Sequence, residues 1–283
     1  MIQWYPGHMA KAKREIREKL RIIDIVVELR DSRIPVSSSN PDLPGLLGNK
    51  TRIIVLNKSD LSDPSVTDAW INTLSSSGDE VVPVEAVTGK GLAEVRRIAS
   101  SVAAELSRRM AARGRRPRPA RMLVVGVPNV GKSTFINRLA GRSAARTGDR
   151  PGVTRGQQWV SVGRSLQLLD MPGLLWPKFD DQQVGIKLAV TSAVDDRLTD
   201  AEMLSRWLIK FLVDRYPEVL SRYVGDEHLP PDCDEIVLLI GRRRGCLLSG
   251  GRVDTQRTAE MILKDFRAGR IGRVSLERPE DGL

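Results

Sequence analysis

The chain has 283 residues, 41% of them hydrophobic, which is enough for one large domain or two ordinary ones and excludes wholesale disorder. Its net charge of +10 is mostly an arginine excess; guanidinium forks match phosphate oxygens in pairs, so the balance favours anionic partners without choosing among nucleic acid, membrane surface and mere solubility. An aromatic content of 4% argues against broad base-stacking platforms.

From the N-terminus, Met1 to Gly7 lack the apolar core of a signal peptide. Met9, Ala12, Ile16, Leu20 and Ile23 recur at three or four residues and predict a basic amphipathic helix over 9–23. Residues 24–29 read as a buried strand, and residues 30–50, with Pro35, Pro41, Pro44 and several serines, as a loop. Further strands are predicted at 52–56 and near 80–84, and a helix from Leu92 to about Ala112. Residues 106–121 carry seven arginines and no acid and read as a basic linker, with a plain solvated connector as the alternative. A strand over 121–126, a glycine-containing loop and a helix from about Lys132 come next. Residues 158–162 and 165–170 read as paired strands joined through Gly163. After residue 180 the apolar spacing predicts helices near 183–194, 199–214, 234–240 and 255–268. No internal repeat and no apolar run long enough to span a membrane is found. Cys233 and Cys246 lie too far apart for a C-x-x-C pair, and no histidine cluster accompanies them, so both read as reduced thiols. The expectation is a soluble, cytoplasmic protein of α/β class, with a sheet core up to about residue 175 and an all-helical part behind it.

Gly126-Val127-Pro128-Asn129-Val130-Gly131-Lys132-Ser133 matches G-x-x-x-x-G-K-[S/T] between a predicted strand and a predicted helix. Backbone N–H groups and a helix N-terminus there can cradle phosphate oxygens. Lys132 is expected to reach the β- and γ-phosphates and Ser133 to ligate Mg²⁺, with Asn129, Val130, Gly131 and Thr134 among the nucleotide-contacting positions. A chance glycine turn is the bland alternative. Asn57-Lys58-Ser59-Asp60 follows a predicted strand. In GTPases an N-K-x-D loop reads guanine: the Asp60 carboxylate can accept from N1–H and the exocyclic amine, a donor pair that adenine lacks. Asn57 is expected at the ring edge and the Lys58 stem over the ring face. The segment Glu85-Ala86-Val87-Thr88-Gly89-Lys90-Gly91 is similar to the S-A-x-x-G-x-G stretch that closes over guanine. Glu85 stands there where serine is usual, so the expectation rests on the Ala86 N–H.

Asp170-Met171-Pro172-Gly173 fits D-x-x-G, with Asp170 holding the Mg²⁺ shell through water and the Gly173 N–H meeting the γ-phosphate. Thr154, in Gly148-Asp149-Arg150-Pro151-Gly152-Val153-Thr154, is the candidate switch threonine that closes on Mg²⁺ when a γ-phosphate is present. Many GTPases place a water-orienting glutamine directly after D-x-x-G. Here that position is Leu174, which cannot hydrogen-bond water. The base reader also precedes the phosphate loop, a rotated order that a sheet allows if it is re-cut at another loop and the old ends are joined. The Arg-rich stretch 113–120 is expected to help make that join.

Together with Trp4-Tyr5-Pro6-Gly7-His8-Met9, Asp31-Ser32-Arg33-Ile34-Pro35, residues 147–154, Leu174-Leu175-Trp176-Pro177, Gly245-Cys246 and Ser249-Gly250-Gly251, these motifs make the chain resemble the circularly permuted YlqF/RbgA family over nearly its whole length. The resemblance implies a circularly permuted P-loop GTPase domain over 1–178 and a helical RNA- and ribosome-binding domain over 179–283. It implies hydrolysis of GTP to GDP with Mg²⁺, late in assembly of the large (50S) ribosomal subunit, stimulated by the particle and with ribosomal RNA contact. The basic N-terminal helix, residues 108–121 and Arg242-Arg243-Arg244 are the candidate RNA contacts. No DNA partner is expected, and the protein is expected to be a monomer off the ribosome. It further implies that His8 replaces the glutamine, where the residues alone would make a lone histidine near a terminus structural or exposed. The implied catalytic set is His8, Lys132, Thr154 and Gly173, and Asn129 is implied as a K⁺ ligand where its simpler role is to bend the loop. Two rivals stand beside this reading: a GTPase acting on membrane or transfer RNA, and a GTP-sensing RNA-binding module with little useful hydrolysis.

Overall fold

The structure, a computed structural model, describes residues 17–48, 50–141, 158–170 and 181–281. His8, Thr154, Gly173 and Leu174 lie outside the described residues, as does most of the predicted N-terminal helix. The strands β1 (Ile25–Asp31), β2 (Thr51–Asn57), β3 (Glu80–Val84), β4 (Ala120–Gly126), β5 (Gln158–Val162) and β6 (Leu166–Asp170) form one sheet. Its order is β3-β2-β1-β4-β6-β5. All pairings are parallel except the β5–β6 hairpin. The central strands are apolar on both faces, as expected of a parallel sheet covered on both sides. Ile25, Val27 and Leu29 face one core, and Val26 faces another with Leu20, Ile23 and Leu123.

Among the described residues, helices α1 (Leu43–Leu47), α2 (Pro64–Ser75), α3 (Leu92–Ala112) and α4 (Lys132–Ala140) flank this sheet in chain order. Helix α2 was not anticipated from the sequence. It begins with Asp63, whose side chain accepts from the Ser65 N–H, and with Pro64 in the first turn. It buries Val66 and Trp70 against Ile54 and Leu56. Helix α3 runs for 21 residues and carries the chain from β3 back to β4, on the other side of β1. The basic linker is shorter than the composition suggested. Its first part belongs to α3, where Arg108 and Arg109 both pair with Glu105, and its last part to β4. Only residues 113–119 connect the two elements, and Arg118 is anchored there on the Asp24 carboxylate at 2.7 Å.

The C-terminal part is helical: α5 (Gln182–Val190), α6 (Ala201–Arg215), α7 (Pro217–Val224), α8 (Cys233–Arg243) and α9 (Thr255–Arg267). Helix α7 was also not anticipated; Pro217 opens it directly after Tyr216 closes α6. Asp181, Asp200, Asp232 and Asp254 cap α5, α6, α8 and α9, each accepting a first-turn N–H. One continuous apolar core runs from the sheet through α3 and α4 into these helices. After α9 the chain returns to the sheet: the Val274 N–H donates to the Leu61 carbonyl at 3.0 Å, and the Leu276 N–H to the Arg33 carbonyl at 2.8 Å. The stretch after β1, expected to be a loop, is buried from Ser32 to Pro35 and again at Ser37, Ser38 and Asn40. Its backbone there is satisfied by the buried Glu277 carboxylate, which accepts from the Val36 N–H at 2.7 Å and the Ser37 N–H at 3.2 Å. Both cysteines are free thiols, and no described helix is long and apolar enough to cross a membrane.

Candidate functional site

The chain leaves β1 toward β2 on one side and comes back to β4 on the other. A crevice at the carboxyl ends of the strands is expected at such a reversal. The registers Leu29↔Gly126, Asp31↔Asn57 and Val124↔Asp170 bring the ends of β1, β2, β4 and β6 to that side. The 31–35, 57–60 and 126–133 segments start there, and the 85–91 segment follows β3, whose Val84 pairs with Asn57.

The phosphate-loop motif spans the end of β4, a turn, and the start of α4. Its two glycines are required by space. A Cβ on Gly126 would lie 2.6 Å from the Leu29 carbonyl oxygen, and one on Gly131, at φ +98°, 2.5 Å from Nδ2 of Asn57. Between them Asn129 takes φ 55°, so its bending role is visible in the backbone, and its Nδ2 donates to the Ser192 carbonyl at 2.8 Å. Gly131 is the N-cap residue of α4, so no side chain of its own covers the first-turn N–H groups. Lys132 is buried, and its Nζ donates to the Gly126 and Val127 carbonyls at 3.2 and 2.9 Å. Ser133 and Thr134 follow in the first turn, half-buried. This loop can present N–H groups, a helix N-terminus and an ammonium to phosphate oxygens.

Asn57, at the end of β2, joins three loops. Its Nδ2 donates to the Val130 carbonyl at 2.7 Å, and its Oδ1 accepts from the Ala86 N–H at 3.1 Å. The base-reading loop, the phosphate loop and the 85–91 segment therefore meet on one buried amide. Beyond it Lys58 adopts φ 60°, the Ser59 N–H donates to the Val84 carbonyl at 3.2 Å, and Asp60 is exposed. In the 85–91 segment the Glu85 carboxylate accepts from Lys90 Nζ and Thr88 Oγ1, both at 3.0 Å. These bonds hold the Glu85 carboxyl below its usual range, led by the one from Lys90. Gly91 closes the segment at φ +83°, where a Cβ would meet the Pro83 carbonyl oxygen.

Asp31, last residue of β1, is a partner that the sequence did not assign. Its carboxylate pairs with Lys58 Nζ at 3.0 Å and takes both Nε and Nη2 of Arg33, at 2.9 and 2.8 Å. Burial alone would raise its pKa. The Arg33 and Lys58 charges outweigh that and hold the carboxyl well below the usual carboxylate range. Burial pushes the Lys58 ammonium down, and Asp31 opposes that shift. The sequence marked Asp31-Ser32-Arg33 as a charged run after a buried strand and as part of the family resemblance, without giving Asp31 a partner.

Among the described residues no group of three or more His, Cys, Asp or Glu could cage a metal ion. Mg²⁺ is usually held by one or two oxygen donors together with substrate phosphates. Ser133 sits at the start of α4, and β6, the strand beside β4, ends at Asp170.

A family model described as "50S ribosome-binding GTPase" matches residues 121–220. The chain is 47% identical to ribosome biogenesis GTPase A of Bacillus licheniformis over 281 residues, covering 99% of both chains. It is 34% identical to ribosome biogenesis GTPase A of Thermotoga maritima, covering 99% of this chain and 95% of that protein. Among solved structures, GNP-bound YlqF from T. maritima superposes with a TM-score of 0.68 at 30% identity, covering 95% of this chain and 99% of that one.

Proposed function

The chain belongs to the ribosome biogenesis GTPase A family and is a GTP-hydrolysing enzyme, and from that premise we propose that it binds the immature large ribosomal subunit and hydrolyses GTP on it late in assembly. The observation that carries the nucleotide part of this reading is the single buried amide of Asn57, which holds phosphate loop, base loop and 85–91 segment together.

In this reading Lys132 takes the β- and γ-phosphate charge, and the α4 N-terminus with the N–H groups of Asn129 to Thr134 cradles the phosphate oxygens. Asp60 accepts from the guanine N1–H and amine, Lys58 is aimed by Asp31 so that its stem covers the ring, and the Ala86 N–H faces the guanine oxygen. Ser133, Thr154 and, through water, Asp170 would hold Mg²⁺, which would supply charge neutralisation at the phosphates. The Gly173 N–H meets the γ-phosphate. His8 orients the attacking water, the role that Leu174 cannot fill, and Asn129 ligates K⁺. Residues 1–178 form the GTPase domain. Residues 179–283 form the helical domain that meets ribosomal RNA, with Arg242, Arg243 and Arg244 at the end of α8 among its cations. The protein works in the cytoplasm, as a monomer until it docks.

Co-sedimentation with mature and immature large subunits, with GTP, GDP or a non-hydrolysable analogue present, tests the reading. Nucleotide-dependent association with the immature particle is expected. Association that ignores the nucleotide, or no association, would remove the ribosomal part. Single-turnover hydrolysis with and without particles then measures the stimulation.

A further inference from the structure

Asp60 is exposed, so its direction is set by the backbone around it rather than by packing of its own side chain. That backbone is held from far along the chain. Arg273, in the segment after α9, donates from Nη2 to the Ser59 carbonyl at 2.9 Å and from Nε to the Ser62 carbonyl at 3.0 Å. The next residue, Val274, donates its N–H to the Leu61 carbonyl at 3.0 Å, and the Ser275 hydroxyl accepts from the Asp63 N–H at 3.1 Å. The two Arg273 bonds thus grip the loop on either side of Asp60. They fall on backbone carbonyls, which fixes the path of the loop itself. The approach is close: a Cβ on Gly269 would lie 2.7 Å from Cδ2 of Leu61. Arg273 also acts on the far side of the base site. Glu85 is held below its ordinary range first by its bond from Lys90, and the Arg273 charge adds to the same effect.

We propose that Arg273 is a positioning residue for guanine recognition, holding the Ser59–Ser62 backbone so that Asp60 meets both donors of the base. The proposal rests on the reading of Asp60 as the guanine reader. Two parallel hydrogen bonds to one carboxylate need a fixed approach direction. The loop also starts from a left-handed Lys58, a conformation that a side chain other than glycine keeps only when its surroundings impose it. Arg273 has two donor directions for two carbonyls, which an ammonium cannot reproduce in one geometry.

The test uses the full-length protein with Arg273→Ala, Arg273→Lys and Asp60→Asn. Steady-state hydrolysis is measured with GTP and with ITP, which lacks the 2-amine and so leaves Asp60 one bond instead of two. Where hydrolysis is slow, KM follows affinity. Arg273→Ala is expected to raise KM for GTP about fivefold, the weight of a partly exposed charge-assisted hydrogen bond. The KM for ITP should rise about twofold and kcat should stay within twofold, so the preference for GTP over ITP narrows. Arg273→Lys should recover part of both losses. An unchanged KM and an unchanged GTP-to-ITP ratio in folded Arg273→Ala would overturn the proposal. Equal losses for both nucleotides would also overturn it, since that is what general loosening gives. Asp60→Asn separates the two layers. If it fails to shift preference toward xanthosine triphosphate, the base-reader reading falls with the proposal. If it shifts while Arg273→Ala is silent, only the role of Arg273 falls.

Discussion

Replacing Asn57 should loosen the phosphate loop, the 57–60 loop and the 85–91 segment together, because its side chain joins all three. Its amide is 2% exposed and makes the two bonds, at 2.7 and 3.1 Å, that join the phosphate loop to the 85–91 segment. Asn57→Ala removes both. Each is worth about 1 kcal/mol net, and the stranded Val130 carbonyl and Ala86 N–H add up to about 1–2 kcal/mol between them, partly relieved by water entering from the site. The expected total is about 2–4 kcal/mol in unfolding free energy. If about 2 kcal/mol of it is felt by the nucleotide-bound arrangement, the dissociation constant for GDP rises about thirtyfold. Asn57→Asp sharpens the test. It keeps the acceptor for Ala86 but sets a carboxylate oxygen against the Val130 carbonyl, where a donor is needed. That buried carboxylate has its pKa raised, so the variant should bind worse than Asn57→Ala at pH 7.5. It should recover as pH falls toward 5.5, because a protonated aspartic acid can donate to Val130. Fluorescent-GDP titration at both pH values, beside urea unfolding, makes the measurement. An Asn57→Ala affinity within twofold of the parent, or an Asn57→Asp that binds more tightly than Asn57→Ala at pH 7.5, would refute the reasoning.

Asp60→Asn should lower affinity for GTP and raise it for xanthosine triphosphate, because an amide can donate to the oxygen that xanthine carries in place of the guanine amine; a competition assay reads the exchange. Asp31→Asn should destabilise the chain at pH 7, and acid unfolding should show where that difference ends. The folded pKa of Asp31 is depressed, so its contribution is fully present above about pH 4, the unfolded carboxylate value, and is lost as pH falls through the folded one. The gap between parent and variant should therefore narrow steadily as pH falls below about 4, and a gap that stays constant from about pH 4 to pH 2 would show that the ion pair with Lys58 and Arg33 is not its source. His8→Ala should leave GTP binding within about twofold and remove most particle-stimulated hydrolysis, since water positioning of this kind is worth a factor of about 10² to 10⁴. Stimulated single-turnover rates near those of the parent would pass the role to a ribosomal group supplied in trans.

Elements whose signal is local were legible in the sequence. The strand at Glu80–Val84 and the helix at Leu92–Ala112 lie where periodicity put them, and the β5–β6 hairpin turns at Gly163. Helix α2 was missed although its start signals, Asp63 and Pro64, were present, because its buried positions are few and include Thr67 among the apolar ones. The stretch after β1 was read from its prolines and serines as a loop, and its burial had no local signal. Serine is at home in a buried loop when a carboxylate answers its N–H and hydroxyl, and that carboxylate belongs to Glu277, 240 residues away.

By itself the sequence located the candidate phosphate and base loops and the family they point to. A phosphate loop needs glycines where backbone crowds backbone, and a base reader needs a carboxylate beside a strand end; both requirements are met within a few consecutive residues. Only the tertiary structure decided how those loops are held together. Asn57 reaches Val130 across 73 residues and Arg273 reaches Ser59 across 214, and neither partner can be inferred from spacing. Hydrogen bonds act over about 3 Å of space whatever the separation along the chain. A rotated sheet order and a C-terminal segment folded back on the loops after β1 and β2 bring these groups into range, and those are properties of the packed chain alone.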